Sequence, residues 1–219
     1  MMRFSRCNGT PNIGVYAAVN ENLALVAANS APGFVEDIET VLGVETILTT
    51  ISGSFVLGSL IRMNSNGAVV TGLIETVELQ RIKKKIPVTI IPDKVNAAGN
   101  NILANDMGAI INPKLSLSAE KAIADALGVE VVRASIAGYD TVGSACAATN
   151  KGCLCNVNAK DEDIKLIKDI LKVEAIKGSV NHGSKHVGAG ILCNSKGALV
   201  GDETTPIEMG KIEDGLVLY

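Results

Sequence analysis

The sequence predicts an α/β fold: a closed ring of five pseudo-equivalent units, each a small β-sheet with one helix. Three observations carry this. First, a phrase of 14 or 15 residues recurs five times: Ile13–Val26 (IGVYAAVNENLALV), Val56–Val70 (VLGSLIRMNSNGAVV), Ala97–Ile111 (AAGNNILANDMGAII), Val142–Cys155 (VGSACAATNKGCLC) and Val187–Val200 (VGAGILCNSKGALV). Second, each copy contains an Asn-rich turn of the kind that reverses a strand tightly. Third, each is followed by a helical pattern and then a β-rich run.

The leading anchors of the five copies are Gly14, Gly58, Gly99, Gly143 and Gly188, at separations of 44, 41, 44 and 45. The second anchors are Asn22, Gly67, Gly108, Gly152 and Gly197. The small, apolar run between anchors reads as a strand, and Gly or Asn in the turn supplies the positive φ of a tight reversal. A second strand follows at once: Leu23–Val26, Ala68–Val70, Ala109–Ile111, Cys153–Cys155 and Ala198–Val200.

Helices come next. Phe34, Ile38, Val41 and Leu42 share one face of the first; Leu79, Ile82 and Ile86 mark the second, and Ile123 and Leu127 the third. The fourth is clearest: Ile164, Ile167, Ile170 and Leu171 face the core, Asp161–Asp163 open it, and Lys168 and Lys172 close it, matching the helix dipole. The fifth, Pro206–Leu216, is interrupted by Gly210. The β-rich runs are Thr46–Ile51, Val88–Ile91, Glu130–Ser135 and Ala175–Val180, with Leu216–Tyr219 expected to play that part last and to close the ring against the first copy. The repeats divide as 1–44, 45–86, 87–129, 130–173 and 174–219 within one domain.

One copy cannot bury both faces of its sheet, so the copies must pack on each other. A solenoid needs capping repeats with a polar outer face, and neither terminal copy looks like one. A propeller of four-stranded blades has a similar period, but the helices and the missing Trp-Asp signature count against it.

Composition narrows the function. Hydrophobic residues are 47% and aromatics 3% with no Trp, so the core is aliphatic and the stacking platform of most single-strand nucleic-acid binders is missing. The net charge of −3 lacks the basic stripe of a free nucleic-acid binder and suits a basic partner. Five cysteines form no disulfide spacing, no signal-peptide h-region opens the chain, and no apolar run reaches membrane length, which together predict a reducing cytoplasm and no membrane contact; the ring is expected to be a monomer.

Three stretches carry a family resemblance. They are Ala98-Gly99-Asn100 through Asn105-Asp106 to Ile110-Ile111-Asn112-Pro113, Ser135–Gly138 with Val142-Gly143-Ser144, and Gly178–Ser184 with Ala189-Gly190. In order and spacing they resemble the translation initiation factor 6 family in its archaeal form, a group of ribosome anti-association factors. The five repeats resemble the five-bladed α/β propeller, or pentein, architecture. His182 stands where an Arg is commoner in eukaryotic members, and the sequence ends at Tyr219 without their phosphorylated tail. The resemblance implies a non-enzymatic protein that binds the large ribosomal subunit and sterically blocks its joining to the small one. The contact would be chiefly a basic ribosomal protein, with ribosomal RNA nearby. No cofactor, catalytic residue or metal ligand is implied.

By that resemblance Asn100 belongs to the ribosome-facing surface. It follows anchor Gly99, where the other copies carry Val15, Ser59, Ser144 and Ala189, so turn formation does not explain it. Asn64, Asn66, Asn105, Asp106 and Asn181 are further contact candidates, though turn chemistry accounts well for Asn64, Asn66 and Asn105. Arg81, Lys83, Lys84 and Lys85 read either as a solvated helix end or as a contact to ribosomal RNA.

The sharpest rival is a guanidino-modifying enzyme of the same architecture, with Cys193 as nucleophile and His182 or His186 as base. Its plainer counterpart makes Cys193 a core residue. Cys153 and Cys155, on one strand face, read as buried together rather than as half a zinc site. Gly188-Ala189-Gly190 lacks the third glycine and the following helix of a dinucleotide loop.

Overall fold

Apolar residues on either side of each Asn-rich turn form the first two strands of a sheet, and the β-rich run after each helix adds a third. The structure, a computed structural model, describes residues 1–219. Blade 1 contains β2 (Ala17–Val19), β3 (Leu23–Ala27) and β4 (Glu45–Thr49); blade 2, β5 (Ile61–Met63), β6 (Ala68–Val70) and β7 (Val88–Ile90). Blade 3 contains β8 (Ile102–Ala104), β9 (Gly108–Ile111) and β10 (Glu130–Arg133); blade 4, β11 (Cys146–Ala148), β12 (Gly152–Asn156) and β13 (Glu174–Gly178). Blade 5 pairs β14 (Ile191–Asn194) and β15 (Gly197–Gly201) with β1 (Met2–Ser5) from the opposite end of the chain. In every blade the first two strands are antiparallel and the third is parallel to the second. In blades 1 to 4 the third strand follows a crossover helix, Pro32–Leu42, Thr76–Lys83, Leu117–Leu127 or Asp161–Leu171, and blade 5 carries the helix Pro206–Leu216 after its second strand.

Ring closure corrects one expectation. Leu216 ends the last helix and no strand follows it; Met2–Ser5 closes the ring by pairing with Ala198–Gly201. The rule is uniform: the strand that opens each sequence repeat completes the preceding blade, and β1 obeys it across the termini. A second expectation is corrected beside the leading anchors. The run after each anchor is only half strand, because the anchor glycine sits in one turn of helix, as in Leu57–Leu60 or Ala98–Asn101, before the strand begins. The Pro206–Leu216 helix forms despite Gly210, started by Pro206 and by Thr205, whose hydroxyl accepts from the Glu208 N–H.

Each of the five hydrophobic cores is built mainly from one blade's sheet and helix and is completed by strand residues of a neighbouring blade. One joins Leu103 and Ile110 of blade 3 to Cys146, Cys153, Ile167 and Leu171 of blade 4; another joins Leu23 and Leu25 of blade 1 to Ile61, Val70 and Ile82 of blade 2. The remaining three join blades 2 to 3, 4 to 5 and 5 to 1. No blade has a private core, so the ring folds as one body whose stability depends on all five seams.

Both anchor series have a steric cause. The leading glycines meet around the axis: a Cβ on Gly58 would lie 1.9 Å from the Gly14 carbonyl oxygen, and one on Gly99 1.8 Å from that of Gly58. Gly143, Gly188 and Gly14 continue this circle at 2.1, 2.2 and 2.2 Å. The second series abuts the helix end of the next blade: a Cβ on Gly67 would come 2.3 Å from Ala126 O, and one on Gly108 2.1 Å from Ile170 O.

Acidic residues in the first turn of three helices fasten the tight loops that end the third strands. Glu78 accepts from the Ser52 and Gly53 N–H groups, Asp163 from Ala137, and Glu208 from His182 and Gly183. Those loops need left-handed backbone, as at Asn181 (φ 50°), His182 (φ 63°) and Gly183 (φ 95°). Burial alone would raise the Glu208 carboxyl, but the Thr205 and Gly183 N–H groups and the Ser179 hydroxyl hold it down to about 2, below the ordinary 4.5. A depressed carboxylate stabilises the fold above its unfolded-state pKa, and that contribution is lost as pH falls through about 2. Glu208→Gln is therefore expected to flatten the fall in stability between roughly pH 4.5 and 2, measured by urea unfolding at stepped pH. An acid limb as steep as the parent's would refute this role.

Candidate functional site

The first strands β2, β5, β8, β11 and β14 contact one another in a closed circle and line an axial channel. Strand polarity gives the channel two unlike ends. At one, the one-turn helices converge and surround a cavity of about 60 Å³, lined in part by Ser59, Arg62, Asn100, Ser144 and Cys193. At the other, the five hairpin turns converge.

The hairpin end is tied shut. The Asn20 side-chain amide donates to Asn64 O; that of Asn64 to Asn105 O and Leu127 O; that of Asn105 to Thr149 O and Leu171 O; and that of Asn194 to Asn20 O and Leu42 O. Each bond reaches the next blade, and several satisfy the last carbonyls of its helix, which have no intrahelical donor. Thr149 breaks the series, because its hydroxyl stays within its own turn, donating to Gly152 O at 3.4 Å and accepting from the Lys151 and Gly152 N–H groups. A second network spans all five blades. Asp106 accepts from the Ser65 N–H and hydroxyl and from the Asn150 amide, Asn150 also approaches Glu21 at 3.5 Å, and Glu21 accepts from Ser195.

The sequence candidates therefore separate. Asn64 and Asn105 are 2% and 5% exposed with their amides bonded inside the ring. This burial gives them a structural task and withdraws their side chains from a contact surface. Asn66 is exposed and donates to Leu127 O, while half-buried Asp106 belongs to the inter-blade network. The basic run lies with them, at the C-terminal end of the blade 2 helix: Arg81 donates to Leu48 O, Lys85 pairs with Glu45 at 2.6 Å, and Lys83 and Lys84 are exposed. Asn100 and Asn181 stand at the opposite end. The Asn181 amide donates to Pro11 O and its carbonyl accepts from Thr204, tying blade 5 to the loop before blade 1. Of these candidates, Asn100 is the one with a half-buried side chain at the cavity rim and no protein partner. The two groups cannot meet one flat surface together.

Sequence reasoning passed over Arg62. Its signal was present: a charged residue between Ile61 and Met63 inside a three-residue strand. The side chain crosses the channel, and its Nη2 donates to Gly99 O (2.8 Å) in blade 3 and Gly143 O (3.3 Å) in blade 4. Burial pulls the guanidinium down to about 10.

Cys193 shares this cavity. Burial pushes its thiol up to about 12 although Arg62 opposes the shift, the reverse of what a nucleophilic thiolate needs. Its sulfur lies 4.0 Å from Ala148 O, while His182 and His186 are exposed in loops, with His186 edge-on to Tyr139. Cys193 is expected to resist iodoacetamide at pH 7 in native protein and to react once the chain is unfolded. Rapid native labelling would contradict this environment. Cys153 and Cys155 are both buried in the seam between blades 3 and 4.

The fold and its axis define a class: a closed five-bladed α/β ring whose axis is crossed by the Arg62 side chain and whose two end faces are unlike. The chain belongs to the eIF-6 family, which matches it over residues 2–215. It is 43% identical to the translation initiation factor 6 of Methanocorpusculum labreanum, over 94% of this chain and 95% of that protein. It is 41% identical to the proteins of that name from Thermoplasma acidophilum, over 93% and 94% of the two chains, and from Methanocaldococcus jannaschii, over 96% of each. A role in translation initiation follows for this chain at that level. No helix is long and apolar enough to cross a membrane.

Proposed function

We propose that the ring binds the large ribosomal subunit through the end bearing Asn100 and thereby blocks joining of the small subunit, without chemistry of its own. Family membership supports the ribosomal setting. The observation that carries the choice of face is the contrast among the asparagines. Asn64 and Asn105 spend their amides on the ring, whereas Asn100 presents both donor and acceptor at the rim. A basic ribosomal protein supplies donors for its carbonyl, and the overall charge of −3 favours such a partner. Contact of Arg81, Lys83, Lys84 and Lys85 with ribosomal RNA would need the other end and is secondary in this reading. The protein acts in the cytoplasm as a monomer and needs no cofactor.

Asn100→Ser is expected to weaken binding to purified large subunits about tenfold or more while leaving the unfolding midpoint within roughly 2 °C of the parent. Pelleting with large subunits measures the first and calorimetry the second. Unchanged affinity would move the docking surface elsewhere, and a large drop in the midpoint would make Asn100 a structural residue.

A further inference from the structure

We infer that the axial cavity is a binding site for a small monovalent anion of the chloride class, held by Arg62 with Ser59 and Asn100. A buried cation is normally matched by a carboxylate, because an unpaired one loses its hydration without compensation. Arg62, half-buried with its Nε enclosed, has no such match. Its Nη2 is satisfied by two carbonyl oxygens, its Nε is buried with no hydrogen-bond partner, and it forms no salt bridge. The carboxylates nearest the axis, Glu21 and Asp106, belong to the hairpin end and are committed to Ser195, Ser65 and Asn150. The thiols of Cys193 and Cys146 are the groups whose negative charge would favour the guanidinium, and burial keeps the Cys193 thiol protonated at neutral pH.

Two further side chains add donors to a lining that also includes the leading glycines. Ser59 lies three residues before Arg62 on the same blade, and Asn100 follows in the next; both are half-buried, line the cavity with Arg62, and have side chains not bonded to any other protein group. Residues bearing a guanidinium, a hydroxyl and an amide, donors of three kinds, line one space of about 60 Å³. That volume has room for a chloride- or nitrate-sized ion, and one positive charge is balanced by one negative charge. The other surroundings, Gly14, Val15, Gly58 and Ala189, add no acidic side chain to repel it.

The site shares Asn100 with the docking reading but is tested on free protein without ribosomes, so either can fail alone. At constant ionic strength, replacing gluconate by chloride from 10 to 200 mM is expected to raise the unfolding midpoint by about 3 °C for a dissociation constant near 10 mM. Arg62→Met is expected to abolish that rise. As a measurement that needs no variant, the ³⁵Cl resonance of sodium chloride should broaden in proportion to native protein, and nitrate should reverse the broadening. Equal midpoints in chloride and gluconate, no excess broadening, or broadening and stabilisation that persist in Arg62→Met would each overturn the proposal. If Arg62→Met does not fold, Arg62→Gln takes its place with the same expectation.

Discussion

Gly99→Ala is expected to lower the stability of the ring by roughly 3 kcal/mol or more, enough to unfold much of it near its working temperature. The added Cβ would sit 1.8 Å from Gly58 O and 2.7 Å from Ile61 O, and both obstacles are backbone. A flexible side chain could move aside; a carbonyl in a closed circle of five cannot shift without moving its blade. The strain would pass around the axis, since each leading glycine touches the next. Gly210→Ala is the control with the opposite sign. It lies inside the Pro206–Leu216 helix with nothing within 4 Å of a Cβ, so alanine should stabilise by about 0.5–1 kcal/mol. Urea unfolding of both variants measures the pair. Equal effects would mean that the glycines serve flexibility in general rather than contact at the axis.

Asn105→Ala is expected to cost about 2–4 kcal/mol. One side chain here makes four bonds: Nδ2 to Thr149 O (3.0 Å) and Leu171 O (2.9 Å), and Oδ1 from the Met107 (2.9 Å) and Gly108 (3.1 Å) N–H groups. Alanine leaves those buried backbone groups without partners and cuts a polar tie between blades 3 and 4. Asn105→Asp keeps the acceptor but turns an anion toward two carbonyls, so it should fare no better. Asn66→Ala, at an exposed turn residue with a single bond to Leu127 O, should cost under about 1 kcal/mol. A similar cost at the two positions would show that the Asn105 bonds are replaced by water and that the blades are held by their apolar seams alone.

These two variants mark how far the fold could be read from residues. The repeat, the hairpins and the helix faces were legible because strand and helix periodicities are local, and Phe34, Ile38, Val41 and Leu42 point inward as their spacing requires. Ring closure was legible in kind but not in detail. Leu216–Tyr219 and Met2–Ser5 are both short apolar-rich ends, and only the three-dimensional position of the blade 5 hairpin decides that β1 pairs with β15. The half-helical run after each anchor glycine was hidden because four residues are too few to show a period. At the candidate site, turn chemistry set Asn64, Asn66 and Asn105 apart from Asn100; the bonds of these three to the next blade are long-range and were not legible. Arg62 is the clearest omission: a charge within Ile61-Arg62-Met63 breaks the apolar pattern of its strand, and its carbonyl partners lie 37 and 81 residues away.

The decisive measurement is of subunit joining. Purified large and small subunits are mixed at a magnesium concentration that favours association, with and without a stoichiometric amount of the protein, and resolved on a sucrose gradient. The ring should sediment with the large subunit and deplete the joined particle in proportion to its occupancy. Joined particles at the level of the protein-free control, or protein that travels with the small subunit, would contradict the account.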